Sequence, residues 1–268
     1  MKTVLKYPGA KNRIANWIIS YMPKHDVYLE LFSGSAAVLL NKTRCHIETL
    51  NDIDGDIVNF FRVLRDYQEE LRRAVDLTPF SRDEYKNAFE ETNDPVERAR
   101  RYCVRCWQGF GNSQMYQNGF KSGQQSTSPN PAGNWTELPM VMEEVSNRLK
   151  GVQIENLPAI ELLRRYDTAD VFIYADPPYL PSIRKSHLYK HEMSCDEHIE
   201  LLESLKNHPG AVMISGYDND LYNRTLSGWR KAYKDTAAEC GIKRTEVLWM
   251  NYEDSQRSLF ADFPEVMP

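Results

Sequence analysis

Hydrophobic positions along the chain follow two rhythms. VYLELF (27–32), HIETLNDID (46–54), VQIEN (152–156), DVFIYA (170–175), AVMISGY (211–217) and TEVLWMNY (245–252) are short runs rich in β-branched and aromatic residues, and each predicts a strand. Helical spacing lies between them. SGSAAVLLNK (33–42) reads as a turn entering a helix, and 56–76 places Ile57, Phe60, Phe61, Leu64, Leu71 and Val75 on one stripe. A short helix is expected at 158–166, and Ser194 with Glu197 forms a capping pattern for another running to about Asn207. Strands alternating with helices predict an α/β fold built on a mostly parallel sheet.

The alternation stops between residues 77 and 150. Ser81 with Glu84, and Asp94-Pro95, read as helix starts, and strand signal is nearly absent. GFGNSQMYQNGFKSGQQSTSPNPAGNW (109–135) is then a polar stretch of a length that is usually functional or disordered. The expected organisation is therefore one domain formed by 1–76 and 151–268, carrying an α-rich insertion at 77–150. No internal repeat is visible.

Composition sets outer limits. With 268 residues, 41% hydrophobic and 26% charged, the chain has the make-up of an ordinary globular protein. No run of eighteen apolar residues suggests a membrane span. MKTVLKYPGAKNR lacks an apolar signal core, so no secretion signal is expected. Five cysteines, an odd and scattered set, suggest reduced thiols and a cytoplasmic setting. The net charge of −5 hides an uneven distribution. Residues 1–25 carry Lys2, Lys6, Lys11, Arg13 and Lys24, residues 98–136 carry Arg98, Arg100, Arg101, Arg105 and Lys121, and neither segment holds an acid. Two basic segments on an acidic body suit a phosphate backbone, and equally suit solvated faces.

The chemistry points to IYADPPYLPS (173–182). At the carboxyl end of a strand, where open α/β sheets bind ligands, Asp176 presents an acceptor-only carboxylate. Pro177 and Pro178 lack N–H donors and stiffen the turn, and Tyr179 adds a flat face. Two acceptors beside an aromatic platform suit an NH2 group on a planar ring. Hydrogen bonds accepted from both N–H groups favour a pyramidal nitrogen with an available lone pair, and no protein nucleophile is needed. The electrophile must then come from a cofactor.

In this pattern, DPPY (176–179) resembles the catalytic motif of amino-methylating DNA methyltransferases. YPGAK (7–11) is similar to their YPGGK, with Ala10 in place of a glycine; ELFSGSAAV (30–38) resembles their S-adenosylmethionine (SAM) loop, and NDID (51–54) their acidic motif. The motif order resembles the Dam-type, adenine-specific branch. That resemblance implies a Rossmann-like, doubly wound sheet of about seven strands and methyl transfer from SAM to adenine N6 of a base flipped out of double-stranded DNA. It implies that Tyr7, Lys11, Glu30, Phe32, Ser33, Gly34, Ser35, Asp52, Ile53, Asn156 and Asp176 surround SAM. An acid ending the second strand also suits a ribose on physical grounds. Asp176, Pro177, Pro178 and Tyr179 would hold the base, with Asp176 and the Pro177 carbonyl accepting from its amine. The insertion would recognise the target: Arg98, Arg101 and Arg105 grip phosphates, while Gln108, Asn112, Tyr116, Asn118 and Lys121 approach the DNA. Arg184 and Lys24 are further phosphate candidates. The target site, any restriction partner and the oligomeric state stay open, a monomer being compatible with the motif set.

Other readings compete. Cytosine N4 is the alternative amine, although its motif more often begins with serine. RNA or a protein amide are other acceptors, and a non-catalytic nucleic-acid-binding module is a different class altogether. Cys103 and Cys106 form a CxxC without a second ligand pair nearby, so no metal is expected. His191-Glu192 begins HExxH, but position 195 is Cys. His187, His191 and His198 read as surface or phosphate-contacting residues. Trp107 and Phe110 are expected in a small core, with Tyr116 and Phe120 either core or stacking platforms.

Overall fold

The structure is a computed structural model and describes residues 1–110, 116–123, 125, 127, 129–181, 190–237 and 243–253. Its centre is a seven-stranded sheet among those residues. The strands are β1 (Val27–Glu30), β2 (Ile47–Asn51), β3 (Val152–Glu155), β4 (Val171–Ala175), β5 (Val212–Tyr217), β6 (Arg230–Ala237) and β7 (Lys243–Met250), in the order β3-β2-β1-β4-β5-β7-β6. The first five are parallel, β7 runs antiparallel between β5 and β6, and β6 lies at the edge. Chain order reverses between β1 and β4, so their carboxyl ends diverge and leave a crevice.

Period-two burial fixes the register. Tyr28, Leu50, Phe172 and Met213 pack in one buried cluster, while Leu29, Ile173, Ile214, Val247 and Trp249 pack in the other. The first cluster lies against α3 (Gly55–Asp66), α6 (Pro95–Gln108) and α8 (Leu138–Leu149), and the second against α9 (Ala159–Arg165) and α10 (Cys195–Lys206). Helix α10 opens with the expected capping box, Ser194 and Glu197 each bonding the other's backbone amide.

Several expectations need correction. The helix expected over 56–76 is two, α3 and α4 (Gln68–Asp76), because Tyr67 at φ −129° and ψ 45° leaves the helical region. The strand expected to reach residue 54 ends at Asn51, which puts Asp52 and Asp54 in the following turn. Strand β6 gave no sequence signal: RKAYKDTA carries the charges that protect a sheet edge, and Tyr233 is exposed. Short helices α1 (Ala15–Ser20), α2 (Ala37–Asn41) and α11 (Asp220–Thr225) complete this half of the molecule.

Residues 77–150 supply α5 (Arg82–Asn87), α6, α7 (Pro131–Thr136) and α8. Ala99, Tyr102, Cys103, Val104, Met142, Val145 and Leu149 join the same buried cluster as Phe60, Phe61 and Val63 of α3. Beyond α6, Gly109 bridges Phe120 in antiparallel sense, and Lys121 N–H donates to the Gln108 carbonyl at 2.8 Å. This short neck leaves Tyr116 and Asn118 exposed. Phe110, expected in a core, is also exposed, whereas half-buried Phe120 lies 5.2 Å from Phe80.

Candidate active site

The crevice between β1 and β4 opens into a cavity of about 640 Å³. One wall is the turn after β1. Gly34 adopts φ +47°, and a Cβ there would stand 2.9 Å from the Tyr7 ring, so only glycine fits. Ala36 also has positive φ, at 55°, which costs about 1 kcal/mol for an L-residue and turns the chain sharply into α2. Asp52 fastens the turn: its carboxylate accepts from Gly34 N–H at 2.9 Å and Ser33 Oγ at 3.4 Å, while its other oxygen accepts from Asp54 N–H at 2.9 Å. Burial pushes its carboxyl up to about 6, against the pull of those donors.

Residues missed in the sequence hold this wall. Asn51, fully buried, donates to the carbonyls of Leu31 and Leu157 and accepts from Leu157 N–H, tying together the ends of three strands. Asn156 is revised from a cavity residue to a clamp on the loop: its amide donates to the carbonyls of Asp52 and Ile53, and the cavity lining passes it by. Ile53, Pro158 and Ile160 give the cavity an apolar rim. On the floor, Glu30 accepts from the Tyr28 hydroxyl at 2.7 Å and Leu39 N–H at 3.0 Å. Burial pushes its carboxyl up to about 8, against those two hydrogen bonds.

The opposite wall is the corner after β4. Asp176 Oδ1 accepts from Ser215 Oγ at 2.7 Å and lies 2.8 Å from Lys11 Nζ. Ser215 Oγ in turn lies 2.8 Å from the Tyr174 hydroxyl. Among the described residues Oδ2 has no partner, and Asp176 lines the cavity together with Gly34 and Asp52. Lys11 is buried, and its Nζ also reaches the Tyr179 hydroxyl at 2.7 Å and Glu246 Oε1 at 3.0 Å. Burial alone would lower the Lys11 pKa, but the Asp176 and Glu246 charges outweigh it and hold it well above the usual lysine value. Asp176 is itself raised, by burial first and then by the Glu246 charge, because two carboxylates share one ammonium. Tyr179 stacks on Tyr217 with ring centroids 4.2 Å apart and planes 19° from parallel.

The cavity thus brings together ten of the eleven expected cofactor residues, including Tyr7, Lys11, Phe32, Ser33 and Ser35; of the expected base-holding corner, Asp176 and Pro178 line it, while Pro177 and Tyr179 lie behind that lining. Its walls fit SAM. The Gly34 turn is a cradle that a Cβ would fill, and the buried Glu30 carboxyl suits a ligand bearing a sulfonium and an ammonium.

The expected DNA contacts divide differently. Arg98, Arg101 and Arg105 lie along α6 beside a second cavity, but each is engaged within the protein. Arg98 Nε is 2.7 Å from Asp56, Arg101 Nε is 2.7 Å from Glu97, and Arg105 reaches Asp56 at 3.4 Å and the Ala88 carbonyl at 3.1 Å. Gln108 is revised to a structural residue: fully buried, it donates to the Pro79 carbonyl and accepts from Ser81 N–H. Tyr116 and Asn118 are exposed, Lys121 is half-buried, and Asn112, Arg184 and His187 lie outside the described residues. His198, expected on the surface, is buried with Nδ1 2.9 Å from the Tyr222 hydroxyl. Trp107 donates from Nε1 to the Val4 carbonyl, and Lys6 Nζ sits 3.5 Å above its ring. Burial first, and then the charge of Lys121, push the Lys6 pKa down to about 8. Sequence reading had not singled out Lys6 as a contact.

Among the described residues no three His, Cys, Asp or Glu side chains gather as a metal site, and no helix is long and apolar enough to cross a membrane.

The 3-2-1-4-5-7-6 sheet, a glycine cradle after β1 and an Asp-Pro-Pro-Tyr corner after β4 define a SAM-dependent methyltransferase acting on an amine. The chain belongs to the D12 class N6 adenine-specific DNA methyltransferase family, whose model matches residues 7–240. It is also 25% identical, over 94% of its own length and 99% of the relative's, to the Type II methyltransferase M.MjaIII of Methanocaldococcus jannaschii. Its activity is methyl transfer from SAM to adenine N6 in DNA.

Proposed function

We propose that this chain methylates a specific site in double-stranded DNA, acting on an adenine rotated out of the duplex into the cavity beside Asp176. The supporting observation is that, among the described residues, the hydrogen bond and ion pair of Asp176 both fall on Oδ1, while Asp176 lines the same cavity as Gly34 and Asp52. A base still stacked in a helix could not enter such a crevice.

When bound, SAM supplies the methyl carbon as an electrophile. The Gly34 turn would hold its amino-acid end, Asp52 its ribose hydroxyls, and Ile53 with Ile160 its adenine ring. Lys11 and Ser215 fix Asp176 through Oδ1, leaving Oδ2 to accept one N6 hydrogen while the Pro177 carbonyl accepts the other. That pair localises the nitrogen lone pair for attack. Methylation would leave positive charge on N6. A neighbouring carboxylate stabilises it, and an aspartate held above its ordinary pKa is a competent acceptor for the departing proton.

Target recognition falls to 77–150 in this reading. Exposed Tyr116 and Asn118 beyond the Gly109–Phe120 neck suit base edges, and Lys6 with Lys121 forms a paired cationic patch that a phosphate would relieve. The relative's Type II designation favours a restriction–modification context. Incubating the protein with labelled SAM and DNA from a methylation-free bacterium, then locating modified bases by single-molecule sequencing, tests the whole reading. N6-methyladenine in one recurrent sequence is expected; methylcytosine, or no preference for sequence, would overturn it.

A further inference from the structure

We propose that Glu246 is a positioning residue for methyl transfer: it anchors the Tyr179 hydroxyl and shares the Lys11 ammonium with Asp176, locking platform and carboxylate into one unit. This rests on the reading above, in which Asp176 and Tyr179 engage the target amine.

Glu246 lies on β7 with only 3% of its side chain exposed. A carboxylate buried so deeply is costly unless paired, and its partner is Lys11 at 3.0 Å. Both of its oxygens stand 3.5 Å from the Tyr179 hydroxyl. Its cross-strand neighbour on β5 is Tyr217, the residue that stacks on the Tyr179 ring. One register position of the β5–β7 pair therefore holds Tyr179 at its hydroxyl end and on one face. Among the described residues Glu246 is not part of the cavity wall, so it acts through its neighbours.

The cluster also sets the charge felt by Asp176. Lys11 approaches it from the loop before α1, Ser215 from β5, Tyr174 from β4, Glu246 from β7, Glu30 from β1, Tyr222 from α11 and Tyr179 from its own corner. Burial and the Glu246 charge oppose ionisation of Asp176, while Lys11 and Ser215 favour it. Removing the Glu246 charge would give the ammonium wholly to Asp176 and loosen the tyrosine.

The test uses the full chain, unmethylated bacterial DNA and saturating SAM, with methyl transfer followed across pH. Glu246→Gln is expected to lower the maximal rate at least about tenfold and to move the acidic limb down by about half a pH unit or more. SAM affinity should stay within about threefold. A limb that does not move, or an unchanged rate, overturns the proposal. Activity that persists in Asp176→Ala would instead reject the reading on which it rests. Should Glu246→Gln fail to fold, Glu246→Asp keeps the charge with a shorter reach. Its limb should stay in place while its maximal rate falls several-fold, and a wild-type rate would sink the assignment.

Discussion

The ammonium of Lys11 lies 2.8 Å from Oδ1 of Asp176, joining the loop before α1 to the corner after β4. Lys11 lies two residues beyond Gly9, whose carbonyl its Nζ also approaches at 3.4 Å, and the same loop brings Tyr7 over Gly34. One short N-terminal segment therefore touches both the Gly34 turn and the Asp176 carboxylate.

Asp176→Ala removes the oxygen left for the target amine yet leaves Lys11 paired with Glu246. The variant should fold and bind SAM within about threefold of wild type, while methyl transfer falls by at least about a thousandfold. Isothermal calorimetry with SAM and labelled-methyl incorporation separate the two quantities. Turnover at even a tenth of the wild-type rate would remove Asp176 from the chemistry.

Gly34→Ala forces a side chain into φ +47° and within 2.9 Å of the Tyr7 ring. Stability should drop by about 1–2 kcal/mol and SAM affinity by at least about tenfold, since the Tyr7 ring or the turn must give way. Thermal unfolding with and without SAM reads both. A neutral variant would show that the cradle does not approach the ligand.

Glu30 links stability to pH. Its carboxyl ionises near the ordinary value in the unfolded chain but at about 8 in the folded one. Between those values the folded state holds the extra proton, so stability falls as pH rises through the window and the full penalty is present above it. Glu30→Gln should flatten this dependence in urea unfolding across the same range. A cation bound beside Glu30 favours its ionised form, so SAM binding near neutral pH should release protons, detected as a buffer-dependent heat, and the glutamine variant should lose that release. Identical pH profiles for the two proteins would refute the assignment.

Burial and the charge of Lys121 push the Lys6 pKa down to about 8, a shift that a nearby phosphate would oppose. Lys6→Ala and Lys121→Ala should each weaken DNA binding and reduce the salt slope by about one. Arg105→Ala, by contrast, breaks contacts with Asp56 and Ala88 and should register mainly in stability. Fluorescence anisotropy over a salt series distinguishes these effects, and an unaltered slope in both lysine variants would place the phosphate track elsewhere.

What the sequence disclosed follows from what is local. Six strands were legible because each carries a run of β-branched and aromatic residues, and the turn at Gly34 and the corner at Asp176 are contiguous motifs. Strand β6 was hidden because RKAYKDTA carries charges and no apolar run, and Tyr67 breaks a stripe that remains periodic across it. Glu246 and Ser215 were invisible because their importance depends on strand pairing: a glutamate inside TEVLWMNY looks like any polar position until β7 is laid antiparallel to β5. Gln108 and Phe110 exchanged their expected places because the neck at Gly109 turns the chain over, which no residue-by-residue reading conveys.

The helices of 77–150 do not sit on the sheet domain as a detachable reader. Tyr102, Val104 and Leu149 interlock with Phe60 and Phe61 in one continuous interior. Transplanting the corresponding segment from a relative would cut through that interior and leave mismatched volumes on α3. If the proposed role of the exposed Tyr116 and Asn118 holds, altering which sequence is recognised is better attempted at those two residues than by exchanging the segment whole.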